Sequence, residues 1–116
     1  MIKDVVLEDV IYNDYTDTVT FYFMTPKSIL KEYGIPEVYD GMEAVHAEIR
    51  LEFPIDDREN LVVTGVMSSL SPTVEVSDNC FEDIDWTDVD LPREDLESLI
   101  RIAEEENWRS QANIKG

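Results

Sequence analysis

The chain has 116 residues, with 27 Asp and Glu against 9 Lys and Arg, and a formal net charge of −18 at pH 7. Its 43% hydrophobic share lies close to the globular norm of about 45–50%, which argues against intrinsic disorder, and the length fits a single acidic domain over residues 1–116. Direct nucleic-acid binding is excluded, because it needs a basic surface to displace phosphate counterions, and no apolar run approaches the roughly 18 residues of a membrane span, so the expected setting is cytoplasmic with no membrane contact.

In chain order, Lys3 to Tyr12 and Thr18 to Met24 are rich in β-branched and aromatic residues and flank the turn-like run Asn13 to Asp17, which predicts a β-hairpin. Lys27 to Tyr33 follows Pro26 and precedes Gly34, the pattern of a two-turn helix stopped by glycine. Glu43 to Phe53 gives the clearest strand: Val45, Ala47, Ile49, Leu51 and Phe53 alternate with His46, Glu48, Arg50 and Glu52, so one face should meet the core and the other water or a partner. Pro54 to Asn60 reads as a polar turn, and Leu61 to Leu70 as a further strand in which Gly65 marks a bulge or a close backbone approach. Pro72 is expected to interrupt the ladder before a short piece from Thr73 to Val76, since it has no amide hydrogen to donate.

After Pro92, the residues Leu96, Leu99, Ile100 and Ala103 follow the i, i+3, i+4, i+7 spacing of an amphipathic helix lying on the sheet. On its other side Glu97, Arg101, Glu105 and Arg109 stand four residues apart with alternating sign, an arrangement that supports an exposed helix face. The fold class is therefore α+β: an antiparallel sheet of four to five strands, a short helix after strand 2, and a C-terminal amphipathic helix packed on one face. Among the tyrosines, Tyr12 and Tyr22 read as sheet residues, while Tyr33 and Tyr39, flanking the loop from Gly34 to Gly41, are interface candidates.

Chemistry-bearing motifs are sparse. The four glycines are too scattered for a phosphate-cradling loop, and the lone Cys80 and lone His46 are too few for the usual zinc sets, so neither cofactor nor metal is expected. Asp83, Asp85, Thr87 and Glu94 fall on EF-hand ligand positions, yet Asp88 stands where the loop needs glycine. His46 and Glu48 share a strand face as a general-base pair would, but no nucleophile lies near in sequence, and the carboxylates around Cys80 disfavour its thiolate. The chain is not expected to be an enzyme.

Charge is the informative feature. Between Glu75 and Glu106 lie 13 of the 27 acids and only 2 of the 9 bases. Within that stretch the run from Asp78 to Asp90 holds no base and interleaves its acids with Phe81, Ile84, Trp86 and Val89, as an anchored strand with outward carboxylates would. Such crowding opposes folding by self-repulsion and exceeds what solubility requires. In size and charge the chain is similar to the small acidic proteins by which phages and mobile elements block restriction or CRISPR nucleases, several of them DNA mimics, and to immunity proteins that neutralise basic nuclease toxins. The resemblance implies a non-enzymatic inhibitor, monomer or homodimer, that binds a basic nuclease or another nucleic-acid-binding protein. The expected contact residues are Glu82, Asp83, Asp85, Trp86, Asp88, Asp90, Glu94, Glu97 and Glu104; an acidic interaction domain of other purpose is the alternative.

Overall fold

Asn13 turns the first hairpin: its side-chain Oδ1 accepts the N–H groups of Tyr15 (2.9 Å) and Thr16 (3.2 Å), replacing backbone bonds the turn cannot make. The hairpin joins β1 (Val6–Asn13) to β2 (Thr18–Thr25) in antiparallel register, with Tyr12 opposite Val19. The computed structural model describes residues 2–57, 62–63, 65–77, 80–111 and 113–115.

The expected two-turn helix is a single turn, α1 (Ile29–Glu32), and no side-chain cap bond from Ser28 supports its start. Its start closes instead through bonds that span three residues, Ile29 N–H to Pro26 C=O and Leu30 N–H to Lys27 C=O. Its end follows the sequence: Gly34, at φ +69°, bonds back to Lys31, and Ile35 bonds back to Leu30. This left-handed cap requires a residue free of a Cβ penalty and folds the buried Ile35 against the core.

Next, β3 (Val38–Tyr39) pairs with the start of β4 (Met42–Asp57) across a two-residue turn. Asp40 and Gly41 both have positive φ, 48° and 79°, as an Asp-Gly hairpin demands. The 16-residue β4 overruns the polar turn expected from Pro54, and it pairs with β2, β3, β5 (Val62–Val63) and β6 (Met67–Ser77). Residues 58–60 of that expected turn, and Leu61, lie outside the described residues. Gly65 lies between β5 and β6 with no atom within 4 Å of where a Cβ would sit, so it is not a close backbone approach.

Pro72 does not interrupt β6, which runs through it opposite Ala47. The reason is which way residue 72 faces. Its C=O accepts from Ile84 N–H, so its nitrogen also points to the outer side, where β7 (Cys80–Asp83) has ended and β8 (Thr87–Asp88) has not begun. A missing donor there breaks no ladder bond.

The C-terminal helix α2 (Arg93–Glu105) ends four residues earlier than the charge pattern reaches. Asn107 takes a left-handed φ of 54°, and a separate turn, α3 (Trp108–Gln111), follows. Arg109 consequently pairs with Glu104 (2.8 Å) rather than extending the Glu105 row. Strand β9 (Asn113–Lys115) then lies parallel to β1. The result is a curled, mostly antiparallel sheet with half of its residues in strands, ordered β7-β6-β4-β2-β1-β9, and with few, short helices. This is more strands than the four to five expected.

The register sorts the side chains into two faces. Val19, Phe21 and Phe23 stand opposite Phe53, Leu51 and Ile49, and with Val10, Leu70, Leu99, Ala103 and Trp108 they form the apolar core. Trp108 is 1% exposed, packs on Phe21 at 4.9 Å between ring centroids and donates its Nε1–H to Glu104 (3.2 Å). One departure from the expected alternation is a bulge in β4 between Ala44 and His46, which turns Ala44 inward and leaves Val45 48% exposed. Replacing Trp108→Ala empties the centre of this core and should cost about 3–5 kcal/mol, measurable as a lowered denaturant midpoint with an unchanged slope.

Candidate functional site

The face of the sheet opposite the core is built from the polar members of β4. His46 stands opposite Thr73, which stands opposite Asp83; Glu48 lies between Met24 and Ser71; Arg50 lies between Tyr22 and Ser69, with Asp9 and Asp88 at the ends of that row. A bulge in β1 between Leu7 and Asp9 returns Leu7 to the core side and frees Glu8, so that Glu8 and Asp9 line the same surface as Tyr22, Glu48 and Asp83.

At the centre is Glu48, only 8% exposed. Desolvation, then hydrogen bonding to Glu8 and the charge of Asp83, push its carboxyl up to about 9, because burial and like charges both oppose ionisation. Glu48 therefore carries a proton at neutral pH. His46 Nε2 lies 3.9 Å from Glu48 Oε1, too far for a hydrogen bond, and the His46 ring sits beside the exposed Phe81 at 5.9 Å. Two buried polar atoms, His46 Nε2 and Ser71 Oγ, have no hydrogen-bond partner among the described residues. Such groups are rare in folded proteins, since each forfeits its hydration without replacement.

Next to this cluster, Arg50 donates Nε–H to Ser69 Oγ (3.1 Å) and lies 4.6 Å over the Trp86 ring, while Tyr22 packs against Trp86 at 6.2 Å. Burial raises the Tyr22 phenol, and Arg50 opposes that shift. Trp86 is thus a half-buried cover over the only arginine that the described rows of this face contain.

The expected contact residues divide into two groups. Glu82, Asp83, Asp85, Asp88 and Asp90 are exposed along the β7–β8 edge. Asp83 accepts from Thr73 Oγ1 (3.0 Å) and faces Glu48, Asp85 lies near Tyr39, and Asp88 and Asp90 line a groove with Met67 and Leu96. Glu94, Glu97 and Glu104 are exposed on α2, whose buried side meets the opposite face of the sheet; Glu97 pairs with Arg93 and Glu104 with Arg109. Of the apolar residues expected to anchor the acidic run, Ile84 and Val89 pack on the core and Trp86 is half-buried, but Phe81 is 53% exposed. The EF-hand spacing does not form a loop, because Asp83 ends one strand and Thr87–Asp88 form another. Tyr33 and Tyr39 are half-buried against the core.

Sequence reasoning paired His46 with Glu48 but missed Glu8, Ser71 and Asp83 as their neighbours. Comparison with protein-family models, curated proteins and solved structures finds no match.

The pH dependence follows from Glu48. Its folded pKa lies above the unfolded value of 4.5, so the folded state keeps a proton the unfolded chain has lost, and stability falls as pH rises from about 4.5 towards 9. Glu48→Gln removes that dependence and should stabilise the protein at pH 8 by on the order of several kcal/mol, with little change at pH 4, as read from denaturation midpoints at the two pH values.

Proposed function

We propose that the chain is a non-enzymatic acidic binding module that docks on a basic, nucleic-acid-binding protein and occupies its polyanion site. The observation that carries this reading is the β7–β8 edge: five carboxylates between Glu82 and Asp90 are exposed on a backbone paired to β6 at both ends of the run. Among the described residues, no ion pair engages Glu82, Asp85, Asp88 or Asp90. Charge fixed in place before encounter steers a basic partner and loses little entropy on docking.

One strand alone is too sparse a row. Same-side residues of a strand are about 6.6 Å apart, whereas duplex DNA carries roughly one charge per 1.7 Å. The register supplies further acids to the face of Asp83 and Asp88, namely Glu8, Asp9 and Glu52. Phe81, exposed in the edge strand, adds an aromatic side chain of a type enriched at protein interfaces.

Capture from lysate of the source cell tests the reading. Wild-type protein should retain basic proteins at low salt and release them to added duplex DNA or high salt. The Asp85→Asn, Asp88→Asn, Asp90→Asn variant should lose that retention while folding with equal or slightly higher stability. Retention that ignores both DNA and the triple substitution would overturn it.

A further inference from the structure

We propose that the polar face holds one divalent first-row transition cation, ligated by His46 Nε2 and the carboxylates of Glu8 and Glu48, with the Ser71 hydroxyl beside them. A ligand atom from each of these residues, which come from two strands, lies within 4.8 Å of the others, and Nε2 itself is 3.9 Å from Glu48 Oε1. Metal–ligand distances of about 2.0–2.2 Å require closer approach than this, and Glu8, exposed on a bulge, has the freedom to swing in.

The acidic residues alone would not support a site, since the chain is acidic throughout. What singles out this cluster is the pair of unsatisfied donors and acceptors around it. Ser71 is 0% exposed and its Oγ has no partner among the described residues. The register sets it directly opposite Glu48 on the same face. His46 Nε2 is likewise buried and unpartnered, and it faces Glu48 Oε1 at 3.9 Å. A bound cation answers both at once: it accepts the imidazole lone pair and offers the hydroxyl oxygen a positive neighbour.

The donor set also selects the ion. One imidazole with two carboxylates suits zinc or manganese, whereas calcium and magnesium favour all-oxygen shells. A count of one cysteine and one histidine argues against a zinc site only when the carboxylates are left out of the count. Asp83, adjacent to Glu48, adds further negative charge at the rim.

Calorimetric titration of the full chain with zinc chloride alone, in excess magnesium to occupy diffuse acidic sites, tests the proposal. One equivalent should bind saturably, and the His46 imidazole resonances should shift with the same stoichiometry. Glu8→Gln, at an exposed position that the core does not depend on, should weaken binding by at least the roughly tenfold that even an outer-shell partner contributes, and His46→Ala should weaken it further. Zinc heats that never saturate, or that both substitutions leave unchanged, would overturn the assignment. Should His46→Ala fail to fold, Glu8→Gln and the imidazole resonances still decide.

Discussion

The two-residue period of β4 is the constraint on which the rest of this molecule depends. Ala47, Ile49, Leu51 and Phe53 go to the core without exception, and His46, Glu48, Arg50 and Glu52 must therefore share the other side. A one-residue slip would bury four polar groups and expose four apolar ones, so the register is strongly specified. Strands on both sides read the same code: the apolar row from β2 and the apolar members of β6 fall in line with it.

That arrangement obliges the protein to keep a carboxyl in a nearly dry place. Glu48 lies at the middle of a curled sheet, where neighbouring side chains shield it from water and Glu8 and Asp83 add like charge. Proton uptake relieves the repulsion, and Nε2 of the nearby imidazole has no hydrogen-bond partner among the described residues. Arg50, the obvious counter-ion, is committed elsewhere, to Ser69 and the Trp86 ring. The face is thus organised without being satisfied, which distinguishes it from the α2 surface, where Glu97 and Glu104 each have an arginine.

Much of the scaffold was legible in the sequence because local signals and tertiary packing agreed. The first hairpin, the alternation of β4, the glycine stop after α1 and the apolar stripe of α2 all follow from residue type and spacing. The failures lie where one residue breaks a period. Val45 and Glu8 sit at bulges, and nothing in their identity announces the extra residue. The Asp40-Gly41 turn carried a recognisable hairpin signal, hidden because its strands are only two residues deep on one side. Asn107 ended α2 by adopting a left-handed conformation that the charge pattern continued straight through. Candidate contact residues were chosen by charge, whereas Glu8, Ser71 and Asp83 were not recognised as neighbours of Glu48, because they come from three other strands, β1, β6 and β7.

Pro72 shapes how the outer margin of the sheet meets its surroundings. It sits at the gap where the bordering chain is split into pieces of four and two residues, with Glu82, Asp83 and Asp88 among them. A border so chopped and so charged presents no continuous template of free amides to a second molecule. Recognition along that margin must run through side chains, and a second copy finds no long free strand there to extend.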